Sequence, residues 1–254
     1  REEMGEADFA LQMQNDPAPP SEIPWDPKTC EHYIERDSIK DAEHQMIVIS
    51  DPAPADQTIR RDGDKDFWAT CVIMIRSRGH YMDADKTSTI PRKDYILIHG
   101  EQSQNWTLDV GIHKMYDFKK AYNARLHVFD QAGPSGPIYR ERISSIGAEM
   151  KVSRAGIDLE GQMRGRNTLF GAFCELARAG RFLIASSVPD GFLSAFLFQM
   201  RRWRPGPDNR NGLKHDDAAN AVIYIADPAV MRVAPRGGER QFSERHFGRL
   251  ANRN

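Results

Sequence analysis

Cysteine is scarce in this chain: Cys30, Cys71 and Cys174 are the only three in 254 residues, and no two form a C-x-x-C pair. That spacing argues against a disulfide framework and a zinc site, and it reads as reduced thiols in an intracellular protein. Long apolar runs are also missing. None reaches the ~20 residues that a membrane span requires, and no signal-peptide pattern opens the chain. Neither sign of charge is in excess, with 35 Lys and Arg against 36 Asp and Glu for a net charge of −1. Any affinity for nucleic acid must therefore come from local patches or bound cations. A G-x-x-x-x-G-K-[ST] motif is absent too, which excludes a phosphate-cradling loop for ATP. The segment from Gly161 to Asn167, with two glycines and two arginines, does not qualify.

What is present suits a soluble globular chain. Apolar residues make up 40% and charged residues 28%, which fits one large domain with arms better than two full domains. Residues 1–15 carry a short helical pattern. Pro17, Pro19, Pro20, Pro24 and Pro27 then interrupt regular structure and mark a linker or arm. Strands are expected at Met46–Ser50, Phe67–Ile75 and Tyr95–His99, with a polar turn over Gly79–Lys93. Successive strands with short connections predict an antiparallel meander. Helical spacing follows over Asp109–Asn123, then a strand at Leu126–Phe129 that ends on Asp130. Further expectations are a helix at Ile138–Ile146, a strand at Ala148–Val152 and a helix at Thr168–Ala179 closed by Gly180. An edge strand at Phe182–Ala185, a helix at Phe192–Trp203 and a helical pattern over His215–Ala226 complete the order. Strands followed by alternating helices and strands predict an α/β fold, a mixed β-sheet flanked by helices. The arginine-rich segment from residue 235 onward, with Gly237 and Gly238, reads as a flexible tail.

Three acidic spots compete for a chemical role. Met46-Ile47-Val48-Ile49 runs straight into Ser50-Asp51-Pro52, and Pro52 cannot continue a sheet ladder, so Asp51 stands at a strand end. Asp130 ends another apolar strand before a glycine-containing loop. Asp216 and Asp217 open a helical segment, where carboxylates are favoured. If these ends converge, the carboxylates repel one another, and a divalent cation with a preference for oxygen, Mg²⁺ or Mn²⁺, resolves the repulsion. Each acid also has an ordinary structural use. Asp51 before proline suits a turn, Asp130 a strand-end turn, Asp216 a helix cap, and Asp217 a solvated first turn. On sequence alone both readings stand.

These segments, taken in order, resemble the nuclease domain of phage large terminase subunits. The resemblance rests on the strand into Asp51-Pro52-Ala53 with the later Asp66-Phe67-Trp68-Ala69, on Leu126-His127-Val128-Phe129-Asp130, and on Leu213-Lys214-His215-Asp216-Asp217-Ala218-Ala219-Asn220-Ala221. The last is similar to the family's His-Asp-Asp-x-x-Asp-Ala signature and is the most specific of the three. Phe9-Ala10-Leu11-Gln12-Met13-Gln14-Asn15-Asp16-Pro17 is similar to the family's segment between ATPase and nuclease. The family implies a ribonuclease-H-like fold, two divalent metal ions (Mg²⁺ or Mn²⁺), and an endonuclease that cuts concatemeric viral DNA during genome packaging in the host cell cytoplasm. Carried across, Asp51 would bridge the metals, Asp130 would be the second ligand, and Asp217, with Asp216, would supply the third. Two departures are Asn220, where the signature has Asp, and Asp130, where many members have Glu. The resemblance further implies double-stranded DNA as substrate, an ATPase domain outside this sequence, and a portal and small terminase subunit as partners. Residues 1–40 would be the linker or arm from that ATPase domain, 41–230 the nuclease, and 231–254 the tail. The start at Arg1 with helical-looking sequence under way fits a piece of a longer chain.

Around the acids, Asp66 and His215 are candidates for the outer shell, and His215 suits a cap or surface position equally well. Lys214, Arg164, Arg166, Arg201, Arg202 and Arg204 are candidate contacts to DNA phosphates, as are the tail arginines Arg236, Arg240, Arg245, Arg249 and Arg253. Arg201, Arg202 and Arg204 also fit simple solvation of a helix end. Trp203 reads either as a base-stacking ring or as half-buried. Two other functions remain open: a different ribonuclease-H-like nuclease of resolvase or integrase type, and a non-catalytic DNA-gripping or docking module of a packaging motor.

Overall fold

The structure, a computed structural model, describes residues 24–35, 44–53, 66–82, 89–130, 136–159, 165–205, 213 and 215–233. Among them the chain forms helix α1 (Pro27–Cys30), strands β1 (Tyr33–Ile34), β2 (His44–Asp51), β3 (Trp68–Met82) and β4 (Thr89–Ser103), and helix α2 (Leu108–Ala121). Then come β5 (Leu126–Asp130), α3 (Gly136–Glu149), β6 (Gly156–Leu159), α4 (Arg166–Arg178), β7 (Phe182–Ala185) and α5 (Asp190–Arg202). Helix α6 (Asp217–Ile223) runs into a 3₁₀ turn (Tyr224–Ala226), and α7 (Pro228–Met231) closes the described chain. The expected helix over residues 1–15 and the tail from residue 235 lie outside the described residues.

All seven strands form one mixed sheet in the order β1-β7-β4-β3-β2-β5-β6. The expected meander is there: β2 with β3, and β3 with β4, are antiparallel. On the other side of β2, β5 is parallel, and β6 is parallel to β5. Three antiparallel strands continued by two parallel ones, with β2 at the junction, make the central sheet ribonuclease-H-like. The near-continuous apolar run of β2 follows from this place, because Met46, Ile47, Val48 and Ile49 are buried between helices on both faces.

Side-chain alternation assigns the two faces. Ser50 Oγ and Thr70 Oγ1 lie 2.9 Å apart, and Trp68 Nε1 donates to Thr70. Trp68 and Phe129 pack with Tyr139 of α3, so this face lies under α2 and α3. Gly111 on α2 is a close-approach position, since a Cβ there would lie 2.3 Å from the Trp68 ring. The opposite face carries α6, whose Ala221 carbonyl accepts from Cys71 Sγ at 3.5 Å. An aromatic cluster of Phe173, Phe182 and Phe196 fills the space between α4, α5 and β7. Trp25 stacks on Phe173 with ring centroids 5.5 Å apart, so residues 24–35 are packed onto the domain.

Three expectations differ from what is found. The polar stretch expected as a turn over Gly79–Lys93 is largely strand: the β3–β4 ladder runs out to Met82 and back from Thr89, with a register irregularity just after Ser77. Backbone pairing in a hairpin arm needs no apolar side chains, so composition hides it. The strand expected at Ala148–Val152 does not form. Helix α3 continues to Glu149, Val152 N–H donates back to Gly147, and Lys151 takes φ 53°, so the strand begins only at Gly156. Phe182–Ala185 is not an edge strand, because β1 pairs with it on one side and β4 on the other. A two-residue strand such as β1 leaves no periodicity to read. The helix closure at Gly180 is as expected, with φ +65° suited to glycine.

Candidate active site

Parallel pairing of β2 and β5 brings the first two acids together. Ser50 is opposite Phe129 in register, which sets Asp51 beside Asp130 at the ends of neighbouring strands. Both alternate away from the Trp68 face and toward α6. Helix α6 lies over this corner of the sheet, and buried Gln199 of α5 accepts from Ala219 N–H at 2.8 Å, pinning its first turn. Asp217 is the first residue of α6 and Asp216 precedes it. Asp216 makes no side-chain cap bond, so the simple capping role is excluded. Asp51 and Asp217 are 6% and 7% exposed, too deep for a solvated turn residue.

The acids act on one another. Burial pushes the Asp51 carboxyl well above the carboxylate range, and Asp217, Asp130 and Asp216 add to this against the guanidinium of Arg166. Asp217 is pushed up to about 7, first by burial, then by Asp216 and Asp66, against backbone N–H bonds from Asp217 itself and Phe67. Its Oδ2 is buried with no hydrogen-bond partner among the described residues. Tyr224 is fully within the site: its hydroxyl donates to Asp130 Oδ2. Burial and the charges of Asp51 and Asp130 raise that phenol well above its usual range. Arg166, first residue of α4, donates to Asp216 Oδ2 at 3.2 Å and faces Asp51, Asp130 and Tyr224 as well.

Outside this centre, His215 Nδ1 lies 3.7 Å from Asp66 Oδ1, and the Phe67 ring meets the imidazole edge-on. Asp66 and His215 thus border Asp217 from the strand and helix sides. The candidate DNA contacts separate. Arg166 is in the centre, whereas Arg201 holds Glu31 through two bonds of 2.8 and 2.6 Å. Arg202 lies over the exposed Phe198 ring at 4.5 Å, and Arg204 donates to the carbonyls of Arg201 and Trp203. Arg164, Lys214 and the tail arginines lie outside the described residues. Trp203 is buried completely, stacked on Phe170, with Nε1 donating to Asn167, so it offers no ring to a base. Asn220 is fully buried on α6, and neither of its side-chain polar atoms has a hydrogen-bond partner among the described residues.

Tyr224 escaped the sequence reading. The signal was available: Asp217, Asn220 or Ala221, and Tyr224 fall on one stripe of a helix that starts at Asp217. Does the donor set suit a divalent cation? The donors are all carboxylate oxygens, and Asp217 keeps one buried oxygen without a partner, both of which suit a hard cation. As the side chains stand, no group of three among the described residues closes on one point. Arg166 instead supplies the positive charge.

The chain is similar in structure to nuclease domains of terminase large subunits. A point mutant of the domain from bacteriophage Sf6, solved with calcium, aligns over 73% of this chain and 89% of its own at 8% identity and TM-score 0.48. The large terminase nuclease of thermophilic phage G20c aligns over 76% and 83% at 14% identity and TM-score 0.43. The human cytomegalovirus terminase nuclease domain, soaked with manganese, aligns over 79% and 92% at 11% identity and TM-score 0.43. No family model and no curated protein matches the chain.

Proposed function

We propose that this chain is a metal-dependent DNA endonuclease domain of a terminase large subunit, cutting concatemeric viral DNA with little sequence preference. The observation that carries the reading is the meeting of Asp51, Asp130 and the Asp216–Asp217 pair, distant in sequence, at one corner of a ribonuclease-H-like sheet. The sequence signature from His215 to Ala221 supports the same reading. Four buried or half-buried carboxylates against one guanidinium leave a surplus of negative charge, which a phosphodiester would only worsen. A bound cation answers that conflict.

In this reading Asp51, Asp130 and Asp217, with Asp216, hold Mg²⁺ or Mn²⁺. Bound by these carboxylates, such ions would supply Lewis acidity for the attacking water and the leaving oxygen of a phosphodiester. The chain's own residues do the rest. Strand β2 fixes Asp51 through its ladder with β3 and β5. The Tyr224 hydroxyl fixes the rotamer of Asp130, whose arm is shorter than the Glu of many family members. Phe67 N–H and Asp217 N–H orient the Asp217 carboxylate and leave Oδ2 directed away from protein donors. His215 and Asp66 border the acids and join the two residues before β3 to the start of α6. Double-stranded DNA, an ATPase domain on the same protein, and portal and small-subunit partners belong to the same proposal.

A substrate panel with Mg²⁺ or Mn²⁺ tests the assignment. Cleavage of plain linear duplex at many sites is expected. Strong preference for four-way junctions or donor ends would move the chain to the resolvase or integrase type. Duplex binding without any cutting would favour a gripping module.

A further inference from the structure

The position of Arg166 is not explained by phosphate binding alone. A side chain waiting for DNA would point its fork at solvent, yet this one is turned back onto Asp216 at 3.2 Å. The acid it grips is 15% exposed and the arginine itself 49%, so the pair sits at the mouth of the centre rather than on an open surface. From there the guanidinium faces Asp51, Asp130 and the Tyr224 oxygen as well. Asp51, Asp130 and Asp216 belong to the proposed ligand set, and Tyr224 holds Asp130. The helix contributes to the placement. Gly165 precedes α4, and Arg166 is its first residue, so the side chain leaves from the very start of the helix.

Charge supplies the consequence. Carboxylates this close together repel one another as they ionise, burial sharpens the repulsion, and a counter-charge relieves it. In the absence of metal the guanidinium provides one positive charge. When a divalent cation enters the same acids, that charge becomes a repulsion and its partner Asp216 is claimed by the ion. The two occupants compete. We propose that Arg166 is a built-in counter-cation of the acidic centre, which a divalent ion must displace from Asp216 to bind. This rests on the reading that the centre takes divalent metal. It makes Arg166 a positioning residue that sets metal affinity and stabilises the metal-free acidic centre.

Calorimetric titration of Mn²⁺, with thermal unfolding in EDTA and in Mn²⁺, tests it on the wild-type chain, Arg166→Gln and Asp51→Asn. The expected result for Arg166→Gln is Mn²⁺ binding tightened by about fivefold or more, since a half-exposed like charge is removed. Its metal-free melting temperature should fall, and its upward shift on adding Mn²⁺ should exceed that of wild type. If Arg166→Gln fails to fold, Arg166→Lys, which keeps the charge but loses the fork, should tighten binding by a smaller factor. Unchanged or weaker Mn²⁺ binding in these variants, with binding still lost in Asp51→Asn, overturns the counter-cation while leaving the metal centre intact. No Asp51-dependent Mn²⁺ binding in wild type or variants overturns the metal reading, and the counter-cation falls with it.

Discussion

Asp217 shows most clearly how burial and neighbours perturb an ordinary residue in the candidate site. Its carboxyl is pushed from 3.8 to about 7 in the folded chain. A raised carboxyl pKa means the folded state holds a proton that the unfolded chain gives up. The resulting stabilisation is full below about pH 4 and is lost as pH rises through about 7. The metal-free protein should therefore unfold at higher urea concentration at pH 5.5 than at pH 8 in EDTA, by on the order of 2 kcal/mol from this centre. Asp217→Asn should flatten that difference, and an unchanged pH slope in the variant would contradict the assignment of the proton. Tyr224 yields a second prediction. Tyr224→Phe removes the bond to Asp130 and should cost about 1 kcal/mol of stability, with cleavage reduced roughly tenfold as Asp130 loses its fixed rotamer. Urea unfolding and single-turnover cleavage measure the two effects. The positions of Asp51 and Asp130 at strand ends and of Asp217 at a helix start are legible in the sequence, because such ends announce themselves by pattern. The helical stripe places Tyr224 on the same side as Asp217, but its bond to Asp130, spanning 94 residues, and the inward turn of Arg166 leave no local signal.

Among the elements, those with strong periodicity were read well and those set by pairing were not. The apolar runs of β2 and β5 and the spacing in α2, α4 and α5 predicted their places within a few residues. The outer arms of β3 and β4, the late start of β6, and β1 depend on partners distant in sequence, so propensity had little to say. The same dependence makes α2 sensitive to a single atom. Gly111 lies where a Cβ would meet the Trp68 ring at 2.3 Å, and that ring is fully buried against Phe129 and Tyr139. Gly111→Ala should force the helix outward and destabilise the fold by about 1–3 kcal/mol, despite alanine's better helix propensity. A rise in melting temperature instead would show that the packing between α2 and the sheet is looser than described. Buried Lys119 works on the same side. It donates to the carbonyls of Ser153 and Ala155 at 2.6 and 2.9 Å and fixes the turn that delivers β6. Burial lowers its pKa to about 8, and together with the nearby Lys119 charge it lowers the adjacent His127 to about 3.

At the scale of the whole molecule, one sheet brings two strand ends and one helix start to a common corner. No helix among the described residues is long and apolar enough to cross a membrane. Residues 24–35 are bound into the domain by Trp25 and by the Glu31–Arg201 pair, so one proposed phosphate contact, Arg201, already has an intramolecular partner. The central claim is that the converging acids cut DNA with metal, and its most direct test is cleavage of supercoiled plasmid in Mg²⁺, Mn²⁺ or EDTA by wild type, Asp51→Asn and Asp217→Asn. Nicking and linearisation with metal are expected, none in EDTA, and a loss of at least about a hundredfold in each variant with the fold retained. Cleavage that survives both substitutions, or proceeds in EDTA, would contradict the account.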